Sequence, residues 1–235
     1  MPSQRRRGFD GLGYHRGDYR TPATPPARFE VIMGAVLTQN TAWTNASAAL
    51  AALRNAGIRL PIDLLVLSRG RLAGLIRSSG YFNQKARKLR SIAAFFSGRG
   101  ALARGAAPAR DALLREWGIG PETADSILLY AFHVPVFVVD AYTRRILSRI
   151  GLISGRESYA AIQELFHAAM ARQAARYNEY HALIVEHAKA HCRMRPECAL
   201  CPVRRCRHRD GRSSRPARSA SPGRSRRSGQ SGQPG

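Results

Sequence analysis

Cys192, Cys198, Cys201 and Cys206 are the only cysteines in the chain, and they fall within fifteen residues as C-x5-C-x2-C-x4-C. Four thiolates from one short loop have the chemistry to close around a single metal centre. Structural zinc usually takes two separated C-x-x-C pairs. Here only Cys198 and Cys201 form such a pair, with one outlying thiol on either side. A cubane [4Fe–4S] cluster is larger and is commonly held by four cysteines close in sequence. The spacing therefore points first to a cluster, then to zinc, and last to a disulfide or free thiols. Arg193, Arg195, Arg204 and Arg205 lie between the ligand candidates, so the loop is suited to face something anionic.

A second constellation lies in EWGIGPETADSILLYAF, residues 116–132. A helix over about 109–117 is expected to end at Gly118, with a tight turn through Ile119 and Gly120. Pro121 then suits the first turn of the next helix. Gly118 and Gly120 admit positive φ and carry no side chain, so backbone N–H groups there can approach a phosphate closely. A helix-hairpin-helix of this kind grips the nucleic-acid backbone without reading bases. A plain Gly-x-Gly turn between packed helices is the alternative. Asp140 follows twenty residues after Gly120, brought by the apolar run VPVFVV (134–139) to the start of a helix over about 141–150. It can cap that helix through its side-chain oxygen and still present a rigidly held carboxylate at a cleft edge.

The elements that must position these residues read as helices. Phe29, Ile32, Met33, Val36 and Leu37 repeat at helical spacing, as do Leu89, Ile92, Ala93 and Phe96, and Ala124, Ile127, Leu128 and Ala131. Leu64, Leu65, Leu67, Leu72, Leu75 and Ile76 spread over two shorter pieces, and Tyr180, Leu183, Ile184 and His187 form a last stripe. In KARKLRSIAAFF (85–96) the cations are expected on the face opposite the apolar one. Only VPVFVV looks extended, and it is too isolated to build a sheet. The fold class is all-α.

Lys+Arg 38 against Asp+Glu 15 gives a net charge of +23, with Lys85, Lys88 and Lys189 the only lysines. Such a chain has nucleic acid or an anionic membrane surface as its partner. A general preference for arginine over lysine would not create so large an excess over acids. No run of about twenty apolar residues exists, which excludes a membrane span. The start MPSQRRRGFDGLG lacks the apolar core of a signal peptide. One cysteine cluster and no other cysteine fits a reducing cytosol. Residues 207–235 hold eight Arg and one Asp among Ser, Gly and Pro, too little apolar surface to offset ordering entropy, so a disordered tail is expected.

The chain resembles the endonuclease III or helix-hairpin-helix-GPD superfamily of DNA glycosylases over roughly residues 27–206. The resemblance rests on LTQNTAW (37–43), GYFNQKARKL (80–89), GIGPETAD (118–125), VVDAYTRR (138–145) and the cysteine loop. It implies a two-domain helical fold with a cleft between the domains. Residues 27–133 would form a six-helix barrel domain with the hairpin at 109–132, and residues 134–206 a helical cluster domain joined by the basic segment 1–26. It implies that Asp140 is the catalytic aspartate and that Cys192, Cys198, Cys201 and Cys206 ligate [4Fe–4S]. Gln39 would fill the gap left by an extruded base, and Gly118, Ile119, Gly120 and Lys85 would contact DNA. The partner implied is double-stranded DNA with a damaged base, met by a cytoplasmic monomer.

Two departures matter. The family's cluster spacing is usually C-x6-C-x2-C-x5-C, and both outer gaps here are one residue shorter. Bifunctional members carry a lysine two residues after the second hairpin glycine, where this chain has Glu122. A glutamate cannot form a Schiff base with the sugar, so the usual route to strand cleavage is absent. GIGPETADSILLYA and VVDAYTRR look closest to the branch that removes alkylated purines such as 3-methyladenine. The expected chemistry is monofunctional: a flipped base, an oxocarbenium-like sugar, and the Asp140 carboxylate stabilising it or activating water. Trp43 and Tyr81 are candidate stacking groups, with buried packing as the alternative. The rival readings are a bifunctional or mismatch glycosylase and, from another class, a catalytically silent cluster-bearing DNA-binding protein.

Overall fold

In the computed structural model, residues 21–98 and 100–209 are described, so the expectations for the first twenty residues and for most of the basic tail lie outside them. The described residues are 63% helix with no strand, as the apolar periodicity predicts. None of their helices is long and apolar enough to cross a membrane.

The first helix, α1 (Pro25–Leu37), starts at Thr24, whose side chain accepts from Ala27 N–H, with proline in the first turn. Its Phe29, Ile32, Met33, Val36 and Leu37 are all buried. This is the central helix. Around it pack α2 (Trp43–Asn55), α5 (Phe82–Ser97), α6 (Ala101–Arg104) and α8 (Pro121–Ser126). The short α3 (Pro61–Leu65) and α4 (Arg69–Leu75) lie against α5. α3 is held at its start by Asp63, whose Oδ2 accepts from the N–H groups of Arg59 and Leu60. α7 (Arg110–Leu114) and α8 are the two arms of the hairpin. α7 stops three residues short of the expected end, and residues 115–118 turn instead.

α8 runs directly into a π-helical turn, Ile127–Ala131, every residue of which is buried. A π turn shifts the register of the side chains that follow it and is frequent at functional sites. Here it carries Tyr130. The chain then runs from 133 to 140 outside any helix or strand, with His133 at φ +57 and a tight turn in which Val136 N–H donates to Val134 C=O. Buried backbone that joins no sheet must find partners elsewhere, and α10 (Tyr159–Ala169) supplies them. Phe137 N–H donates to His167 Nε2 (3.1 Å), Val139 N–H to Tyr159 Oη (3.3 Å), and Phe137 C=O accepts from Gln163 Nε2 (2.6 Å). The Phe137 ring lies flat on Phe166, centroids 3.6 Å apart, and edge-on to Tyr177.

α9 (Ala141–Ile150) and α11 (Ala174–Ala190) pack on one another, and α11 also reaches the π turn. The α11 stripe differs from expectation. Tyr177, His181, Ile184, Val185 and Ala188 are buried, whereas Tyr180 and Leu183 are exposed. The buried face is rotated by about one residue and includes a histidine.

Candidate active site and nucleic-acid interface

Asp140 caps α9 in extended conformation, as expected. Its Oδ1 accepts from Thr143 N–H (2.7 Å) and from the Thr143 hydroxyl (2.8 Å), while Oδ2 faces His181 Nε2 at 3.4 Å. Burial by itself would push its pKa up. The His181 contact and the Thr143 donors outweigh burial and leave it below the ordinary carboxylate value. The result is an ionised carboxylate held at both oxygens.

Glu122, in the first turn of α8, shares a pocket with Asp140. The residue is exposed at the pocket rim, yet its pKa is raised. Partial desolvation by the walls comes first and the charge of Asp140 second, with His181 and Arg144 pulling the other way. Two carboxyls in one site are thus driven apart, Asp140 down and Glu122 up, the pattern by which one carboxyl holds a charge and its neighbour holds a proton more readily. The pocket has a volume of about 190 Å³. Val31, Gly34, Ala35 and Thr38 of α1, Trp43 of α2, Ser126, Tyr130, Val138, Tyr142, His181 and Lys189 complete most of its wall. Trp43 is half-buried there. Tyr81 stands 70% exposed at the start of α5 and is not among the lining residues.

The hairpin turns as expected, but its two glycines do different work. Gly118 has φ +78, and a Cβ on it would stand 2.5 Å from Lys88 Cε, so its absent side chain serves the protein's own packing. Gly120 has ordinary φ, and a Cβ there would meet nothing. Only an approaching ligand would feel it. Between the two glycines, the Ile119 side chain is buried and its N–H donates to Glu116 C=O.

Gln39 is docked onto the hairpin. Its Nε2 donates to Gly118 C=O (3.2 Å) and Thr123 Oγ1 (2.8 Å), and its Oε1 accepts from Lys88 Nζ (2.5 Å). The three bonds tie the end of α1 to the hairpin. Lys85 corrects the expected face. It belongs to the buried face of α5 rather than to the cationic one, at 2% exposure. Its Nζ donates to Leu37 C=O and Ser79 C=O, each at 2.7 Å, and burial lowers its pKa to about 8. Its ammonium is bonded to two internal carbonyls.

The four cysteines are half-buried and free of disulfides. The loop wraps the end of α9: Arg149 donates to Cys192 Sγ (3.3 Å), Cys206 Sγ reaches Arg149 C=O (3.5 Å), and Cys201 Sγ lies 3.7 Å from His187 Nε2. The donor set fits a four-thiolate centre in kind and number. Its geometry is open, since no group of three or more His, Cys, Asp or Glu among the described residues is arranged to hold a metal ion.

Sequence reading missed Tyr130, Tyr142 and His181. His181 had a signal, because Tyr177, His181, Ile184 and Ala188 recur at spacings of four, three and four on α11. Tyr130 had none, because the π turn that aims it has no sequence signature.

Residues 33–172 match the family model for HhH-GPD superfamily base excision DNA repair proteins. The protein of Methanocaldococcus jannaschii named "putative DNA repair glycosylase" is 40% identical over 184 residues, covering 75% of this chain and 84% of that one. Among solved structures, the H. pylori 3-methyladenine DNA glycosylase bound to 1,N6-ethenoadenine is 31% identical with a TM-score of 0.62, covering 68% of this chain and 84% of that one. A non-covalent endonuclease III–DNA complex has a TM-score of 0.70 at 24% identity, covering 79% and 85%, and bears on the fold alone. With the hairpin, the capped aspartate and the pocket between them in place, the chain belongs to the HhH-GPD superfamily of base-excision DNA repair proteins, as one of its DNA repair glycosylases.

Proposed function

We propose that this glycosylase is monofunctional and hydrolyses the N-glycosidic bond of an alkylated purine, such as 3-methyladenine, extruded from double-stranded DNA into the Asp140 pocket. The observation that carries this reading is the pairing of Asp140 with Glu122 in a pocket walled by Trp43, Tyr130 and Tyr142. An N3- or N7-alkylated purine is cationic. Aromatic faces and nearby carboxylates favour a cation in a desolvated site.

In this reading residues 27–133 and 134–206 act as two units, and the pocket draws its walls from both. Gly120 and the arginines hold the phosphate backbone. Gln39 leaves its bonds to the hairpin and occupies the space of the flipped base, whose extrusion costs a few kcal/mol, least at a damaged pair. As the C1′–N bond breaks, electrons pass to the base and positive charge grows on the sugar. The fixed Asp140 carboxylate stabilises that charge and orients the attacking water, which gives its proton to that carboxylate and becomes the C1′ hydroxyl. The alkylated purine departs neutral, so no proton donor to the leaving group is required.

Cys192, Cys198, Cys201 and Cys206 would hold the [4Fe–4S] cluster. Bound there, it would supply a rigid cross-link of the loop at the ends of α9 and α11, remote from the reacting bond.

One observation favours a second reading. Lys189 lines the same pocket, with its Nζ 3.8 Å from Glu186, so a lysine borders the site although position 122 has none. A bifunctional glycosylase and lyase would use it. The deciding experiment incubates the protein with a panel of single-lesion duplexes and compares strands cut after heat and alkali with strands cut untreated. Cuts that need alkali, strongest for alkylated purines, support the first reading. Cuts without alkali, or a preference for oxidised pyrimidines or mismatched thymine, overturn it.

A further inference from the structure

We infer that His181 is a positioning residue for the Asp140 carboxylate, with Tyr130 behind it fixing which imidazole nitrogen carries the proton. The inference deepens the proposed function, since it takes Asp140 to be the carboxylate that acts on the sugar.

Tyr130 Oη and His181 Nδ1 are 2.7 Å apart, and His181 Nε2 lies 3.4 Å from Asp140 Oδ2. The three residues come from three elements: the π turn, α11 and the cap of α9. Tyr130 and His181 are both buried, and Phe137 stands edge-on to the imidazole with centroids 6.2 Å apart, so the ring is confined from the side. Thr143 takes Oδ1 with two hydrogen bonds. Oδ2 is left to His181, whose Nε2 is the contact that sets its direction.

The proton order follows from charge. Burial pushes the Tyr130 pKa well above its ordinary range, so the hydroxyl keeps its proton. Donating that proton to Nδ1 leaves the ring proton on Nε2, the nitrogen 3.4 Å from the carboxylate. The reverse order, with Nδ1–H donating to the Tyr130 oxygen, would aim the Nε2 lone pair at an anion. For the neutral ring, electrostatics selects the first. The charged and titratable groups around the imidazole are Asp140 at its end, Tyr130 on the π turn, Glu122 on α8, Arg144 on α9 and Lys189 on α11. Of these, His181 faces Oδ2 at 3.4 Å. Removing it leaves only the Thr143 donors to oppose burial, which pushes Asp140 toward its protonated form. A histidine that merely filled space would change stability and leave that titration alone.

The test follows the side-chain carbons of ¹³C-aspartate-labelled full-length protein by NMR against pH, with the Asp140 signal identified by its loss in Asp140→Asn. His181→Leu should raise the Asp140 titration midpoint by about one pH unit or more. Tyr130→Phe should raise it less, because the imidazole stays but its tautomer is no longer fixed. His181→Gln, whose amide can still donate, should recover part of the shift and covers the case in which the leucine variant fails to fold. An unchanged midpoint in His181→Gln and Tyr130→Phe, or in a folded His181→Leu, overturns the inference. No DNA is needed, so failure of the glycosylase reading is seen separately, as Asp140→Asn releasing bases at the wild-type rate.

Discussion

Gln163 donates its side-chain amide to the buried carboxylate of Asp125 at 2.8 Å, and through that bond α10 is tied to the hairpin. The same amide donates to Phe137 C=O at 2.6 Å, and Asp125 accepts two bonds from Arg110, at 2.6 and 3.0 Å. One carboxylate thus links both hairpin arms to the segment that ends in Asp140.

Asp125→Ala should therefore destabilise the protein by about 2–3 kcal/mol in urea unfolding. That is less than the ~3–5 kcal/mol seen when the surviving partner is fully buried, because the Arg110 side chain is 36% exposed and can turn to water. Gln163→Leu should cost about 1–2 kcal/mol by leaving Phe137 C=O and one oxygen of Asp125 short of a donor. In both variants base release should fall further than stability alone explains, since the path holding Asp140 is loosened.

Lys85 makes a prediction about pH. Its folded pKa of about 8 lies below the ordinary 10.5, so the unfolded chain binds more protons between those values. Stability should rise with pH across that window, by about 2 kcal/mol between pH 7.5 and 10 as an upper bound. Lys85→Met should lose that rise relative to wild type in parallel urea titrations. Equal slopes for the two proteins would mean that the ammonium is not desolvated.

Much of this arrangement was legible in the residues. The stripes of α1, α5 and of α8 with its π turn are core, the Asp140 cap forms as expected, and VPVFVV joins no sheet. What escaped the sequence was side-chain direction. Lys85 looked cationic and therefore external, yet two unpaired helix-end carbonyls drew it inward. Ile119 looked like part of a ligand loop, yet its side chain anchors the turn. His181 was passed over because Tyr180 and Leu183 made a more apolar stripe than the one that is buried. For Lys85 the deciding partners are tertiary and no spacing announces them, whereas the His181 stripe was present in the spacing and lost to a more apolar one.

The two hairpin glycines separate folding from binding. Gly118→Ala should cost at least about 1–2 kcal/mol in stability, because alanine resists positive φ and would strike Lys88. Gly120→Ala should change stability by no more than about 0.5 kcal/mol and weaken duplex binding several-fold in fluorescence anisotropy. A Gly120→Ala protein that binds duplex as wild type does would remove that position from the interface.

The cysteine loop predicts a colour. Anaerobically purified protein should be yellow-brown, with broad absorbance near about 400 nm and roughly four irons per chain. Cys198→Ser should lose iron and lower the melting temperature, since the loop has little apolar content to hold it against α9. A colourless protein with one zinc per chain would replace the cluster with a tetrahedral site and leave the pocket chemistry untouched.

The decisive variant for the chemistry is Asp140→Asn. The amide oxygen can still cap α9, so the fold should persist while the charge is lost. Single-turnover base release should fall by a factor on the order of 10² or more. Duplex affinity should hold or improve, because a negative charge near phosphates is gone. Wild type should leave intact abasic DNA, and borohydride should trap little covalent complex, because Glu122 has no amine to offer. Should trapping be efficient, the amine to test is Lys189, since Lys85 is bonded to two internal carbonyls and Lys88 to Gln39. Loss of the trapped band in Lys189→Gln would then transfer the sugar chemistry to that lysine and make the enzyme bifunctional.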